Sequence, residues 1–190
     1  MKDQQAELFA NHTGPPGFVY QVDYLSPGEE GALLDEIARL PFEEARYRDF
    51  TARRRIVSWG PQDAKPEFLR PLARRVAAWL GVEAEELKQV LINEYRPGTP
   101  LGWHRDSPEF DLVAGVSLGA PCRMRFRPFP PRRDAPVLSL DLAPRSAYQL
   151  CGDVRWRWQH SVPATKALRY SITFRTLAPR ALKAKTLSVY

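Results

Sequence analysis

Three side chains of this sequence have the types and spacing to hold a metal ion. His104 and Asp106 stand two apart in Leu101-Gly102-Trp103-His104-Arg105-Asp106, and His160 stands in Trp158-Gln159-His160-Ser161-Val162. The chain has 3 histidines in all, and His12 sits apart in a polar N-terminal stretch. Two imidazoles and a carboxylate on one side of an octahedron leave three positions open, enough for a bidentate cosubstrate and dioxygen on Fe(II). A zinc hydrolase accommodates the same ligand set. Ligand types alone therefore leave the metal open.

Alternation along extended segments gives these residues directions. Residues two apart on a strand leave on the same face, so His104 and Asp106 point together. In Val154–His160 the same rule aligns Val154, Trp156, Trp158 and His160, and it sends Arg155, Arg157 and Gln159 the other way. His160 then follows two tryptophans inward, and a buried imidazole needs a partner that a metal would supply. In the last strand Arg169, Ser171, Thr173 and Arg175 share one face, and Tyr170, Ile172 and Phe174 share the other. That polar face either meets water, as in many antiparallel sheets, or lines a cavity that holds a carboxylate. Its company with the metal triad favours the cavity. Asn93 and Tyr95 share a face just before the turn Arg96-Pro97-Gly98-Thr99. Their amide and phenol can reach a carboxylate or keto group, or they simply end a strand at a Pro-Gly turn.

The elements that carry these residues change type along the chain. Ser26-Pro27-Gly28-Glu29 is a capping box with proline at the first helical position. Behind it Leu33, Leu34, Ile37 and Leu40 recur at helical spacing until Pro41. A second helix is expected from near Pro66 to Leu80, with Pro71 splitting off an initial turn and Gly81 as the stop. Thr51 to Trp59, between the helices, reads as extended. From Leu87 onward short period-two runs are separated by Pro, Gly and Asp. They predict strands over Val90–Tyr95, Leu112–Leu118, Arg123–Arg127, Val137–Leu140, Ala147–Leu150, Val154–His160 and Arg169–Leu177. Strands at this spacing without helical crossovers imply an antiparallel sandwich or jelly roll. The expected fold is mainly β with flanking helices, a jelly-roll core braced by the N-terminal helices.

Composition sets the frame. At 190 residues with 44% hydrophobic content, the chain is expected to be one domain able to bury a core without disulfides. Its divisions are a helical and covering portion over 1–86, a core over 87–178 and a tail over 179–190. The 2 cysteines, Cys122 and Cys151, lack zinc-ribbon spacing. No stretch approaches the roughly 20 apolar residues of a membrane span. Leu8-Phe9-Ala10 is too short for a signal-peptide core, and Asn11-His12-Thr13 is a sequon that matters only on secretion. The expectation is a cytoplasmic monomer with no membrane partner. Net charge is +6, and arginines crowd two segments. Arg46, Arg48, Arg53, Arg54 and Arg55 form one cluster, and Arg123, Arg125, Arg127, Arg132 and Arg133 form the other. Arginine forks suit phosphate, so nucleic acid is the expected partner, against a merely solvated basic surface.

Taken in order, several motifs resemble the AlkB family of Fe(II)- and 2-oxoglutarate-dependent dioxygenases. They are Asn93-Glu94-Tyr95, His104-Arg105-Asp106, Val116-Ser117-Leu118-Gly119, His160-Ser161-Val162 and the run Arg169 to Arg175 with its R-x-x-x-T-F-R pattern. An H-x-D pair alone is weak; the ordered set is specific, and it covers Leu91 to Arg175. The resemblance implies that His104, Asp106 and His160 bind Fe(II). It implies that Arg169 pairs with the distal carboxylate of 2-oxoglutarate, with Asn93 and Tyr95 adding hydrogen bonds. Arg175 would contact the cosubstrate or steady Asp106, and Thr173 would line the pocket. Ser171 replaces a family asparagine, and Pro108 stands where repair members carry an acidic residue, with Glu109 beside it. The implied activity is dioxygen-dependent removal of N-alkyl groups from nucleobases in DNA and/or RNA, giving aldehyde, succinate and carbon dioxide, with single-stranded DNA or RNA as the expected partner and a stacked base having to leave its stack. A protein or small-molecule substrate, or a catalytically silent basic nucleic-acid-binding domain, are the alternatives. The stretch from Phe50 to Trp59 lies where such proteins cover their substrate. Phe50, Arg53, Arg55 and Trp59, with Trp103 beside the first ligand, are the expected substrate contacts, by phosphate pairing and stacking.

Overall fold

The structure is a computed structural model that describes residues 14–47 and 50–179, with the side chains of 46, 47 and 50–53 left out. The sequon at Asn11-His12-Thr13 and the tail from 180 lie outside the described residues.

Helix α1 (Pro27–Ile37) starts as the capping box dictates. The Glu29 N–H donates to Ser26 Oγ at 3.2 Å and the Ser26 N–H to Glu29 Oε2 at 2.8 Å. The helix stops at Ile37, a turn before Pro41. A 3₁₀ turn over Glu67–Leu69 precedes α2 (Arg70–Leu80), as Pro71 suggested, and Gly81 ends α2 in the left-handed region at φ 71°. No helix among the described residues is long and apolar enough to cross a membrane.

The strands form two antiparallel sheets. The larger holds β1 (Phe18–Gln21), β2 (Glu43–Tyr47), β3 (Phe50–Trp59), β4 (Leu87–Tyr95), β6 (Phe110–Gly119), β9 (Ala147–Leu150) and β11 (Arg169–Leu177). Their order is β1-β9-β6-β11-β4-β3-β2. The smaller is ordered β5-β10-β7-β8, from β5 (Leu101–His104), β10 (Trp158–Val162), β7 (Cys122–Pro128) and β8 (Leu138–Leu142). Both helices pack on one face of the larger sheet, where Leu33, Ile37, Leu72 and Val76 join Ile92, Val116, Ile172 and Phe174 in one core. The smaller sheet covers the opposite face. There Tyr20, Val113 and Leu150 join Met124, Phe126 and Leu142 in a second core. This is the jelly roll with bracing helices that the alternation implied.

β11 lies inside this sandwich and is covered on both sides. Ile172 and Phe174 on one face are 0% exposed, and Arg169, Ser171 and Thr173 on the other are 2%, 3% and 5% exposed. The arginine face of the last strand therefore looks into the molecule, not into water.

One expected strand is wrong. Val154–His160 is not a single extended run: α3 (Gly152–Arg157) occupies its first half and β10 begins at Trp158. Gly152 turns the chain at φ 55°, and the Val154 N–H bonds Pro16 O at 2.9 Å, so the segment coils where alternation suggested extension. Val154 and Arg155 both point inward, while Trp156 is 38% exposed. The short strands β1, β2 and β5 carry too little apolar alternation to announce themselves. β2 (Glu43-Glu44-Ala45-Arg46-Tyr47) is a charged edge strand, as sheet edges often are.

Candidate active site

β5 and β10 are neighbours, and their register sets His104 directly opposite His160. The two imidazole centroids are 4.2 Å apart. Asp106 follows just past the end of β5, and one ligand atom from each of the three residues lies within 4.8 Å of the others. Hydrogen bonds orient two of the three, His104 and Asp106. His104 Nδ1 bonds Gly102 O at 2.9 Å, which makes Nδ1 the protonated nitrogen and leaves the Nε2 lone pair free for a metal. Arg175 donates twice to Asp106 Oδ1, at 3.1 and 2.5 Å, and once to Gln89 Oε1 at 2.7 Å. Asp106 Oδ2 is left facing His160 Nε2 at 3.7 Å.

The protonation states match the geometry. Burial pushes the Asp106 carboxyl up, but the charges of Arg175, His160 and His104 outweigh it and hold the group well below the usual carboxylate range. Burial pulls His160 down to about 3, with His104 and Arg175 adding to the shift and Asp106 opposing it. His104 is lowered as well, again chiefly by burial. At neutral pH the site therefore presents a carboxylate and two neutral imidazoles, the forms that ligate a metal.

Beside this cluster the inward face of β11 meets that of β4. Asn93, Tyr95, Ser171, Thr173 and Arg175 line one pocket together with the three metal-ligand candidates. Arg169 lies one step further along β11, paired in register with Tyr95, its guanidinium 5.0 Å from that ring. Its Nε donates to Ser117 Oγ at 3.2 Å. Neither terminal nitrogen has a protein partner among the described residues, and no carboxylate pairs with it. A guanidinium only 2% exposed and lacking an anion is costly in a closed protein. A dicarboxylate whose far end reaches Arg169 removes that cost. The pocket lining thus suits a metal, and Arg169, which stands behind Tyr95 rather than in that lining, has the chemistry to receive the far carboxylate of a cosubstrate.

The remaining predicted positions divide. Arg55 turns to the helical side, where it binds Glu94 Oε1 at 3.0 Å and Phe42 O at 2.7 Å. Trp59 packs against the helical core. Trp103 faces out of the smaller sheet, away from the pocket, with Arg127 4.5 Å from its ring. These three are thus not brought to the pocket, and the side chains of Phe50 and Arg53 lie outside the described residues. Glu109 is exposed and accepts from the Ser107 hydroxyl at 3.2 Å.

The structure adds residues that sequence reasoning passed over. Arg54, between the two arginines singled out, lines the pocket, and its buried Nε has no partner. Tyr148 lines it too, lying so close over Gly115 that a Cβ there would overlap the ring. Arg155 is 3% exposed and donates to Ser107 O at 2.5 Å and Phe110 O at 2.6 Å, clamping the loop that follows Asp106. Only the arginine run hinted at Arg54. The false strand over Val154–His160 sent Arg155 to the wrong side.

A family model for the 2OG-Fe(II) oxygenase superfamily matches residues 19–175. This chain belongs to that superfamily. Among curated proteins it is 26% identical over 193 residues to uncharacterized protein L905 of Acanthamoeba polyphaga mimivirus, covering 88% of each. To the α-ketoglutarate-dependent dioxygenase AlkB of Escherichia coli K12 it is 31% identical over 126 residues, 60% of this chain and 57% of that protein. The AlkB-family resemblance of the motifs is borne out by such relatives. The structure of OsALKBH1 superposes with TM-score 0.65 at 17% identity, covering 86% of this chain and 98% of the other. A prolyl hydroxylase from Trichoplax adhaerens, in complex with a hypoxia inducible factor peptide fragment, gives 0.66 at 15% identity over 92% and 88%. At these identities the likeness shows the fold alone. The enzyme is a 2-oxoglutarate-dependent dioxygenase that uses Fe(II), 2-oxoglutarate and dioxygen.

Proposed function

We propose that this enzyme oxidatively dealkylates N-alkylated bases in single-stranded DNA or RNA, with His104, Asp106 and His160 holding Fe(II) and Arg169 anchoring 2-oxoglutarate. The observation that carries the cosubstrate assignment is the buried Arg169 guanidinium, which has no anion of its own among the described residues. Support for the nucleic-acid substrate comes from the AlkB-named relatives and from an arginine-rich chain of net charge +6.

Fe(II), when bound, would activate dioxygen, the oxidant, so that oxidative decarboxylation of 2-oxoglutarate to succinate and carbon dioxide is coupled to hydroxylation of a substrate carbon. The protein's own residues bind, orient and exclude water. Asn93 and Tyr95 offer hydrogen bonds to the cosubstrate beside Arg169. Arg175 occupies Asp106 Oδ1, so Oδ2 would be the oxygen that holds Fe(II). The Gly102 carbonyl fixes the His104 tautomer. Hydroxylation of an N-methyl carbon yields a hemiaminal, which releases formaldehyde and the free base nitrogen. A target base must be single-stranded or leave its stack to enter such a pocket.

The test is succinate and formaldehyde formation with 2-oxoglutarate, Fe(II) and three candidate substrates: N-methylated single-stranded DNA, the matching RNA, and a methylated peptide. Formaldehyde in stoichiometry with succinate for either nucleic acid is the expected result. Coupled turnover with the peptide alone would overturn the substrate assignment.

A further inference from the structure

The second arginine cluster of the sequence takes no part in the pocket. Arg123, Arg125 and Arg127 alternate along β7 with Cys122, Met124 and Phe126, which are buried at 8%, 1% and 1% exposure. The three arginines therefore share the outer face of the smaller sheet, on the side of β5 opposite to His104. They are not equivalent. Arg123 forms a two-pronged pair with Asp141 at 2.7 and 3.0 Å, so its charge is answered. Arg125 and Arg127 pair with no carboxylate among the described residues. Each donates its Nε to a neutral cross-strand partner, Arg125 to Ser161 Oγ at 3.1 Å and Arg127 to Gln159 Oε1 at 2.8 Å. Both guanidinium groups also lie over the Trp103 ring, 5.1 and 4.5 Å from its centroid.

This arrangement fixes two guanidinium groups without neutralising them. Nε bonds and ring stacking hold their planes, which lowers the entropy lost when a ligand binds. The two terminal nitrogens of each, the pair that makes a fork, are left without a protein acceptor. Positions two apart on a strand are separated by roughly 6.7 Å, comparable to neighbouring phosphates along an extended nucleic-acid strand. Beyond Trp103, exposed Arg105 sits 3.8 Å over the Phe129 ring and has no carboxylate partner among the described residues. The row thus extends along β5 toward the strand end from which Asp106 enters the pocket. A purely structural role would be served equally well by acidic cross-strand partners, as Arg123 has. Two neutral partners under two adjacent arginines keep the field positive.

We propose that the outer face of the β5-β10-β7-β8 sheet, through Arg125 and Arg127 set on Trp103, grips the phosphate backbone of the nucleic-acid substrate outside the pocket. This rests on the reading that the substrate is a nucleic acid and adds where its flanking strand runs. Phosphate is favoured over a protein carboxylate because paired, oriented forks match phosphate oxygens on a regular backbone.

The experiment measures binding of an unmodified fluorescent single-stranded 12-mer by anisotropy from 50 to 200 mM salt, which needs no turnover. Arg125→Ala/Arg127→Ala should lower the slope of log affinity against log salt by about 1.4 in magnitude, since each lost contact to a single strand removes about 0.7. The advantage of wild type over the variant then shrinks about sevenfold across that range. Gln159→Glu keeps the shape and the hydrogen bond but sets a carboxylate on Arg127. It should cost about 0.7 in slope with thermal stability kept, which covers the case of a double variant that folds poorly. Removing equal charge from the helical side, by Arg39→Ala/Arg74→Ala, should leave the slope unchanged. Equal slopes in wild type and Gln159→Glu would overturn the proposal, and so would polyglutamate of matched length competing as well as the 12-mer. If methylated oligonucleotides are never turned over while these slopes still change, the substrate reading fails and the phosphate-binding face stands.

Discussion

Replacing Arg169 by methionine separates a cosubstrate anchor from an ordinary core arginine. Methionine fills much of the same volume without charge. In the absence of ligand Arg169 makes a single side-chain hydrogen bond, to Ser117, and stacks on Tyr95. Its charge is 2% exposed and unanswered. Exchanging a buried, uncompensated charge for an apolar side chain is neutral or stabilising, so the ligand-free Arg169→Met protein should melt at or above the wild-type temperature. With 2-oxoglutarate the sign reverses. Removing one partner of a buried charged pair costs about 3–5 kcal/mol, which converts to an affinity loss of roughly two to three and a half orders of magnitude. Arg169→Lys keeps a point charge and loses the fork, so it should fall between the two. The assays are succinate formation across a wide range of 2-oxoglutarate and thermal melting with and without it. The rise in melting temperature that 2-oxoglutarate gives wild type should vanish in Arg169→Met. An unchanged cosubstrate requirement, or a ligand-free variant that melts several degrees early, would refute the reasoning.

Further expectations concern the metal, the pocket wall and pH. Arg175→Met removes both hydrogen bonds to Asp106 Oδ1, and loss of such a supporting partner should weaken metal binding about 10- to 100-fold. A Co(II) titration followed by visible absorption reads this directly, and wild-type affinity in the variant would sink the role given to Arg175. Gly115→Ala places a methyl group against the Tyr148 ring. It should cost about 1–3 kcal/mol in urea denaturation, and Tyr148→Ala should relieve it; additive losses in the double variant would argue against the contact. Finally, folded His160 resists protonation until about 3, against 6.5 for an ordinary histidine. Between these values the unfolded chain binds the extra proton. The metal-free protein should therefore keep its full stability above pH 6.5 and lose on the order of 1.4 kcal/mol per unit as pH falls below it. Urea midpoints at pH 7, 6 and 5 that do not fall, or that fall equally in His160→Gln, would count against a buried neutral imidazole.

Much of the site was legible in the sequence because its motifs are local. H-x-D fixes two candidate ligands within one short stretch, and the period-two pattern of β4 and β11 sorts Asn93, Tyr95, Ser171, Thr173 and Arg175 onto one face each. The capping box at Ser26 and the stop at Gly81 bound the helices for similar reasons, since backbone donors and positive φ are satisfied within a few residues. What alternation cannot say is what lies opposite a face. A polar face looks the same in sequence whether it meets water or a cavity. Only the smaller sheet, closing over β11, decided that Arg169 is interior and without an anion. Register was equally out of reach. Arg54 and Arg55 differ by one position, and only the pairing of Arg55 with Glu94 across β3 and β4 sends Arg55 to the helices and Arg54 to the pocket. In α3, a glycine at positive φ coils a segment whose valine and tryptophans imitate a strand, which moves Arg155 from solvent to the loop behind Asp106. Residue chemistry and local period belong to the sequence. Which faces meet, and which charges are left unpaired when they do, is settled by contacts between strands far apart in the chain.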